Sequence, residues 1–255
     1  MDAYIVEAKR TPIGRAHKDK GVYRDVRADE LMAHLLKYFG KEVLSPERID
    51  DVMVGCVGQH LEQGKNIARL SSLLAGYPYS VPGVTVNRLC ASSLQAFHFA
   101  TQSVALGQNQ VVLAGGVEHM HHVAMTAALD YNQELLERFE FPFTNMGLTA
   151  ERVADQFKIS REEQDRFAVE SHRKAVVAQT EGYFRNEIVS TPAGGASIEV
   201  DQGPRATTSL EALAELKTVF KEDGGTVTAG NSSQVSDGAS LSLVANKKAC
   251  EALGL

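Results

Sequence analysis

The stretch TVNRLCASSLQAF, residues 85–97, decides how the chain is read. Thr85 and Val86 end a β-branched run. Asn87 and Arg88 interrupt it, and from Cys90 to Leu106 no glycine or proline breaks the chain. A strand therefore runs into a long helix, with a cysteine at the junction. The first amides of a helix lack internal partners and carry partial positive charge. A thiolate there is stabilised, so the junction predicts a cysteine of lowered pKa and raised nucleophilicity at neutral pH. Ala91, Ser92 and Ser93 are small and leave a substrate room to reach the sulfur. The opposing reading is an inert buried thiol, because free cysteine is among the most buried residue types.

Outward from this junction the pattern repeats. AYIVEAKRTPIG (3–14) reads as a strand with a Pro/Gly stop, and Asp29–Phe39 as an apolar-periodic helix stopped at Gly40. DVMVGC (51–56), a helix over about 66–75, VPGVTVNRL (81–89) and QVVLAGG (110–116) continue the alternation. The 90–106 helix is apolar on most faces, which predicts burial all round. The fold class is therefore α/β: a mixed, mostly parallel sheet with helices on both faces. After Glu118 charge rises, and irregular stretches such as TPAGGASIEVDQGPRATTS (191–209) appear beside a polar helix near 161–179. ASLSLVAN (239–246) restores strand character before a helix start at Asn246. The expected organisation is a sheet domain over 1–118, an inserted loop domain over 119–228, and a return to the sheet over 229–255.

Composition narrows the function. A net charge of −6 with scattered basic residues excludes a general nucleic-acid binder. No run of about 20 apolar residues could span a bilayer, and MDAYIVEAKRTP has no signal-peptide core. Cys56, Cys90 and Cys250 are odd in number and far apart, which fits a reducing, cytoplasmic setting. Cys56 and Cys250 are read as structural. Glu118, His119, His121 and His122 cluster without metal-ligand spacing, so no metal is expected. The glycine pairs 115–116 and 224–225 lack the Lys-Ser/Thr of a phosphate loop and read as turns.

NRLCASSLQA (87–96) resembles the nucleophile motif of the thiolase family. VEAKRTPIGR (6–15), LEQGKNIARLSSLLAG (61–76), GGVEHMHHVAM (115–125), MGLTAERVA (146–154), ISREEQDRFAVESHRKA (159–175) and GTVTAGNSSQVSDGAS (225–240) follow the family's order. LEQGKNIAR and GGVEHM are most similar to degradative bacterial 3-ketoacyl-CoA thiolases. The resemblance implies a thiolase N-terminal lobe with an inserted loop domain, and acyl transfer between 3-ketoacyl-CoA and CoA in fatty-acid β-oxidation through Cys90. Met146 then lies beside the acyl thioester, Arg205 near the nucleotide end of CoA, and Ser233 at the pantetheine arm. Asn145 departs from the histidine of biosynthetic thiolases, which argues against short-chain synthesis. Coenzyme A is a substrate, and no cofactor is implied.

The resemblance also implies a second lobe with a GHP-type histidine, a NEAF-type asparagine and a CxG cysteine. These residues are read as carrying none of the three, so the chain alone is expected to turn over little. The family further implies a homo-oligomer, at least a dimer, and a possible partner subunit of a β-oxidation complex. Ketoacyl synthase and hydroxymethylglutaryl-CoA synthase chemistry fit the loop domain and the 225–240 motif less well. A non-catalytic CoA-binding or assembly module remains the alternative.

Overall fold

The computed structural model describes residues 2–127, 129–139 and 144–255. In chain order it contains β1 (Ala3–Arg10), β2 (Gly14–Arg15), α1 (Ala28–Tyr38), β3 (Asp51–Gly55), α2 (Ile67–Leu74), β4 (Gly83–Val86), α3 (Ser92–Ala105) and β5 (Val111–His119). Then come α4 (Gln133–Glu137), α5 (Met146–Phe157), α6 (Arg161–Thr180), β6 (Thr191–Ala193), β7 (Ala196–Ile198), α7 (Leu210–Ala214), β8 (Ser236–Asn246) and α8 (Lys247–Leu253). Two compact units result. The first comprises Met1–Ala128, Phe184–Gln202 and Val235–Leu255; the second comprises Leu129–Tyr183 and Gly203–Gln234.

The first unit is built on one sheet of order β1-β8-β5-β3-β4, with β2 also pairing β8. β3 lies parallel to both β4 and β5, whereas β8 is antiparallel to β5, β1 and β2. Every strand except β8 therefore runs the same way, giving a mixed sheet that is mostly parallel in direction. Strand side chains alternate between faces. Val52, Val54, Leu113, Leu241 and Leu243 join Leu31, Leu35 and Leu36 of α1 and Ile67 of α2 in one core. Met53, Val112, Ala114 and Val244 face the other way and pack with Ala96, Ala100 and Val104 of α3. Both faces are covered, as the near-continuous apolar strands require.

Three local expectations change. Gly40 does not stop α1: the helix continues as one π turn, Phe39–Val43, closed by Leu44 N–H donating to Phe39 O at 2.9 Å. A Cβ on Gly40 would stand 3.1 Å from Pro46 and 3.4 Å from Tyr77, so the glycine serves close packing. Helix α3 is not buried all round. Its small residues face the sheet and let it pack close, while Leu94, Phe99 and, just past the helix, Leu106 are exposed.

The third change concerns the insertion, which is two segments rather than the single block 119–228. Residues 119–127 stay with the sheet, and 184–202 returns to it. Arg10 N–H donates to Glu187 O at 2.8 Å and Val189 N–H donates to Arg10 O at 2.9 Å, extending pairing beyond β1. The Arg10 guanidinium takes both carboxylate oxygens of Asp201, at 2.6 and 3.0 Å, and Glu187 at 2.7 Å. Between them the β6–β7 hairpin turns through Gly194 (φ +55°) and Gly195 (φ +79°), and places Ala193 in the main core. Its polar, glycine-rich composition reads as loop because only three residues on each side form strand.

In the second unit α6 begins at a capping box: Glu163 N–H donates to Ser160 Oγ and Ser160 N–H to the Glu163 carboxylate. Helix α5 ends at Lys158, whose φ of +56° is left-handed.

Candidate active site

Cys90 is exposed, two residues ahead of α3, and side chains and backbone on either side of it hold the turn that presents it. Asn87 Oδ1 accepts from Leu89 N–H at 2.9 Å, while its amide donates to Val57 O at 3.1 Å. Buried Ser92 closes the turn from the other side. Its Oγ accepts from Arg88 N–H at 2.8 Å and donates to Leu89 O at 2.6 Å. Ala91 N–H and Ser92 N–H reach back to Arg88 O and Leu89 O. Within this frame Leu89 has φ +50°, a left-handed conformation that costs a non-glycine residue about 1–2 kcal/mol. Such strain persists only where neighbours over-determine it, and here it swings the next residue, Cys90, outward.

The sheet also shapes the site. Gly55 and Gly116 end their pairing register opposite one another on β3 and β5. A Cβ on Gly55 would lie 2.3 Å from Ser92 C and Ser93 N, and one on Gly116 only 1.8 Å from Ser93 Oγ. The start of α3 therefore rests directly on glycine backbone. Gly115 and Gly116 are thus not a turn but part of β5, and a Cβ on Gly115 would strike Ser240 O at 1.9 Å.

The histidine cluster has a structural job. Glu62, His119 and His122 bring possible ligand atoms within 4.8 Å of one another. The rings of His119 and His122 stack, however, with centroids 4.0 Å apart and planes 20° apart. In-plane lone pairs of stacked rings run nearly parallel and cannot converge on one ion. The nitrogens are also taken. His119 Nδ1 accepts from His122 N–H at 3.2 Å and its Nε2 meets Tyr23 O at 3.1 Å. His122 Nε2 meets Arg24 O at 2.7 Å and its Nδ1 meets Glu62 at 3.0 Å. Glu62 also accepts from Ala28 N–H at the start of α1. Burial holds His119 below the usual imidazole range. Burial also pulls on His122, but the Arg24 carbonyl and the Glu62 carboxylate overcome it and raise its pKa. Glu118 instead accepts from Val57 N–H, Gly58 N–H and Gln63, tying down the loop after β3.

The other cysteines differ sharply from Cys90. Cys56 is buried at the end of β3, and burial, reinforced by Glu118, pushes its thiol up to about 12. Cys56-Val57-Gly58 does carry the letters of the CxG pattern, which corrects the reading that this motif is missing. Burial closes the Cys56 thiol to an incoming substrate. Cys250 is half-buried on α8.

Met146, Arg205 and Ser233 belong to the second unit. Met146 opens α5 and is exposed; Asn145 before it caps the helix, its side chain accepting from Leu148 N–H at 3.1 Å. Arg205 is exposed, and its N–H donates to His172 Nδ1 at 3.2 Å. Ser233 is exposed beyond the 226–232 loop. A Cβ on Gly203 would stand 2.8 Å from the Gln234 amide, so the segments carrying Arg205 and Ser233 lie side by side.

Comparison with known proteins agrees with this architecture. The family described as "Thiolase, N-terminal domain" matches residues 3–248. The chain is 48% identical to the 3-ketoacyl-CoA thiolase of Colwellia psychrerythraea, covering 100% of this chain and 67% of the relative. It is 46% identical to that of Pseudoalteromonas translucida, covering 98% and 66%. The chain thus spans about two thirds of the length of these relatives. The crystal structure of the Bacillus anthracis acetyl-CoA acetyltransferase superposes with a TM-score of 0.85 at 34% identity, covering all of this chain and 68% of that one. By these matches the chain belongs to the thiolase family, whose N-terminal domain it matches almost from end to end.

Proposed function

We propose that this chain carries the nucleophile of a 3-ketoacyl-CoA thiolase of fatty-acid β-oxidation. The observation that carries the reading is the strained, hydrogen-bonded turn that exposes Cys90 while Cys56 stays buried. Cys90 sulfur attacks the 3-keto carbonyl. The C2–C3 bond breaks, its electrons pass to C2, and after protonation acetyl-CoA leaves. A second CoA thiol then attacks the acyl thioester and releases the shortened acyl-CoA and Cys90. Covalent capture divides one difficult cleavage into two easier transfers.

Met146, Arg205 and Ser233 are assigned to the acyl thioester, the nucleotide and the pantetheine arm of CoA. Coenzyme A enters as substrate, and the cysteine supplies the covalent chemistry without a cofactor. Proton transfer and full oxyanion stabilisation come from outside these 255 residues, so the chain alone turns over negligibly. The relatives, of whose length it spans about two thirds, support this. Three free cysteines support a reducing, cytoplasmic setting, and no helix among the described residues is long and apolar enough to cross a membrane. The exposed Leu94, Phe99 and Leu106 along α3 support association into a dimer or larger assembly, and with another subunit of a β-oxidation complex. A clean monomer in light scattering at micromolar concentration would remove that part of the proposal.

The test is acyl trapping. The chain, fused to the remaining third of the Colwellia relative so that the proton-transfer and oxyanion groups are present, is incubated with acetyl-CoA, quenched in acid and mapped by peptide mass spectrometry. Acetyl on Cys90, with none on Cys56 or Cys250, is expected. A chain whose Cys90 is alkylated by iodoacetamide but never acylated would favour the non-catalytic CoA-binding reading.

A further inference from the structure

Within the second unit two buried carboxylates hold one loop. Glu151 on α5 is 2% exposed, and among the described residues its carboxylate accepts from Thr226 and Val227. Its Oε1 accepts from Thr226 N–H and Val227 N–H at 2.9 and 2.8 Å; its Oε2 accepts from Thr226 N–H and Thr226 Oγ1 at 2.9 and 2.8 Å. Gly225 makes the approach possible, since a Cβ there would stand 3.1 Å from Glu151 Oε1 and 2.1 Å from Lys221 O.

Asp165 on α6 is 3% exposed and does the same one turn of loop later. Its Oδ1 accepts from Asn231 Nδ2 at 3.0 Å, and its Oδ2 is held by Arg161 at 2.8 Å. Asn231 in turn donates to Thr226 O and accepts from Thr228 N–H, at 3.0 and 2.8 Å. Thr228 Oγ1 accepts from Gly230 N–H and Asn231 N–H, while Ser232 Oγ donates to Thr228 O.

Burying a carboxylate is unfavourable unless strong donors answer it, and apolar side chains of similar volume would pack unit 2 as well or better. What the carboxylates add is a single backbone geometry for residues 226–232. Ser233 follows immediately and is exposed. Met146 lies on the same helix as Glu151, so α5 fixes both.

We propose that Glu151, assisted by Asp165, is a positioning residue for coenzyme A: it fixes the 226–232 loop so that Ser233 meets the pantetheine arm. The proposal rests on the reading of Ser233 as a CoA contact given above. Neither carboxylate touches the ligand; both act through the loop.

The test is a double-mutant cycle on CoA affinity, measured by titration calorimetry on the 255-residue chain. Glu151→Gln keeps the shape but removes the charge and puts an amide N–H where Oε2 accepts from Thr226; about a tenfold loss of affinity is expected. Ser233→Ala is expected to weaken binding by at least as much, and the double variant to bind no worse than Ser233→Ala alone. The rate of Cys90 alkylation, read on the first unit, stays unchanged throughout. Thr226→Val removes only one donor to Glu151 and reports the same coupling if Glu151→Gln does not fold. Losses that add in the double variant, or unchanged affinity in Glu151→Gln beside a weakened Ser233→Ala, would overturn the positioning role. No loss in Ser233→Ala would instead remove the reading of Ser233, and the proposal with it.

Discussion

Gly55→Ala is the sharpest perturbation of the support beneath the Cys90 turn. A Cβ at this position meets backbone, not a rotatable side chain: Ser92 C and Ser93 N at 2.3 Å and Ser92 O at 2.6 Å. Restoring ordinary contact requires the start of α3 to retreat by about 1 Å, because no rotamer change can relieve a backbone clash. Overpacking of a tight core costs about 1–3 kcal/mol, and the rigidity of both partners puts this case at the upper end. The retreat also strains the Ser92 bonds to Arg88 and Leu89, which weaken steeply once stretched past hydrogen-bond range. Urea denaturation, with the midpoint compared at constant slope, gives the stability change. Gly116→Ala is the matched comparison: its Cβ meets mainly Ser93 Oγ and Cβ, at 1.8 and 2.8 Å, so side-chain rotation relieves part of the clash. A smaller loss than for Gly55→Ala is expected. A Gly55→Ala chain within about 0.5 kcal/mol of wild type would refute the direct seating of α3 on β3.

Further outcomes follow from the same contacts. Ser92→Ala deletes both the acceptor for Arg88 N–H and the donor to Leu89 O, and is expected to cost about 1–3 kcal/mol in denaturation; an unchanged midpoint would show that Asn87 holds the turn alone. Iodoacetamide mapping should label Cys90 first, Cys250 more slowly, and Cys56 only on unfolding, since burial keeps that thiol protonated to about pH 12. His122 has a raised folded pKa, so its contribution is fully present below about pH 6.5 and is lost as pH rises through the folded value. The stability gap between wild type and His122→Gln is therefore expected to be wider at about pH 5.5 than at about pH 9. His119, held below the usual range, works oppositely, its contribution present above about pH 6.5 and lost as pH falls.

The alternation of strands and helices was legible because each element has its own period. DVMVG and VVLAGG alternate between two cores, and Leu31, Leu35 and Leu36 recur at helical spacing. The strand-to-helix cysteine was legible for the same reason. What escaped the sequence depends on contacts distant along the chain. The return of residues 184–202 rests on Arg10, which holds Asp201 from 191 positions away. Gly116 looks like a turn residue until Ser93 is seen above it. Helix α3 looks buried from composition, yet its alanines face the sheet while Leu94 and Phe99 do not. The histidine cluster invites a metal until the stacking of His119 on His122 is known. Glu151 gives no hint in the sequence, because a glutamate in an amphipathic helix does not announce that it turns inward.

The most direct measurement is thiolysis of a medium-chain 3-ketoacyl-CoA, by the chain alone and by the chain fused to the remaining third of the Colwellia relative, each beside Cys90→Ala. The account expects turnover in the fusion, its loss in Cys90→Ala, and almost none from the chain alone. Turnover that survives Cys90→Ala in the fusion, or Cys90-dependent turnover by the chain alone, would contradict it.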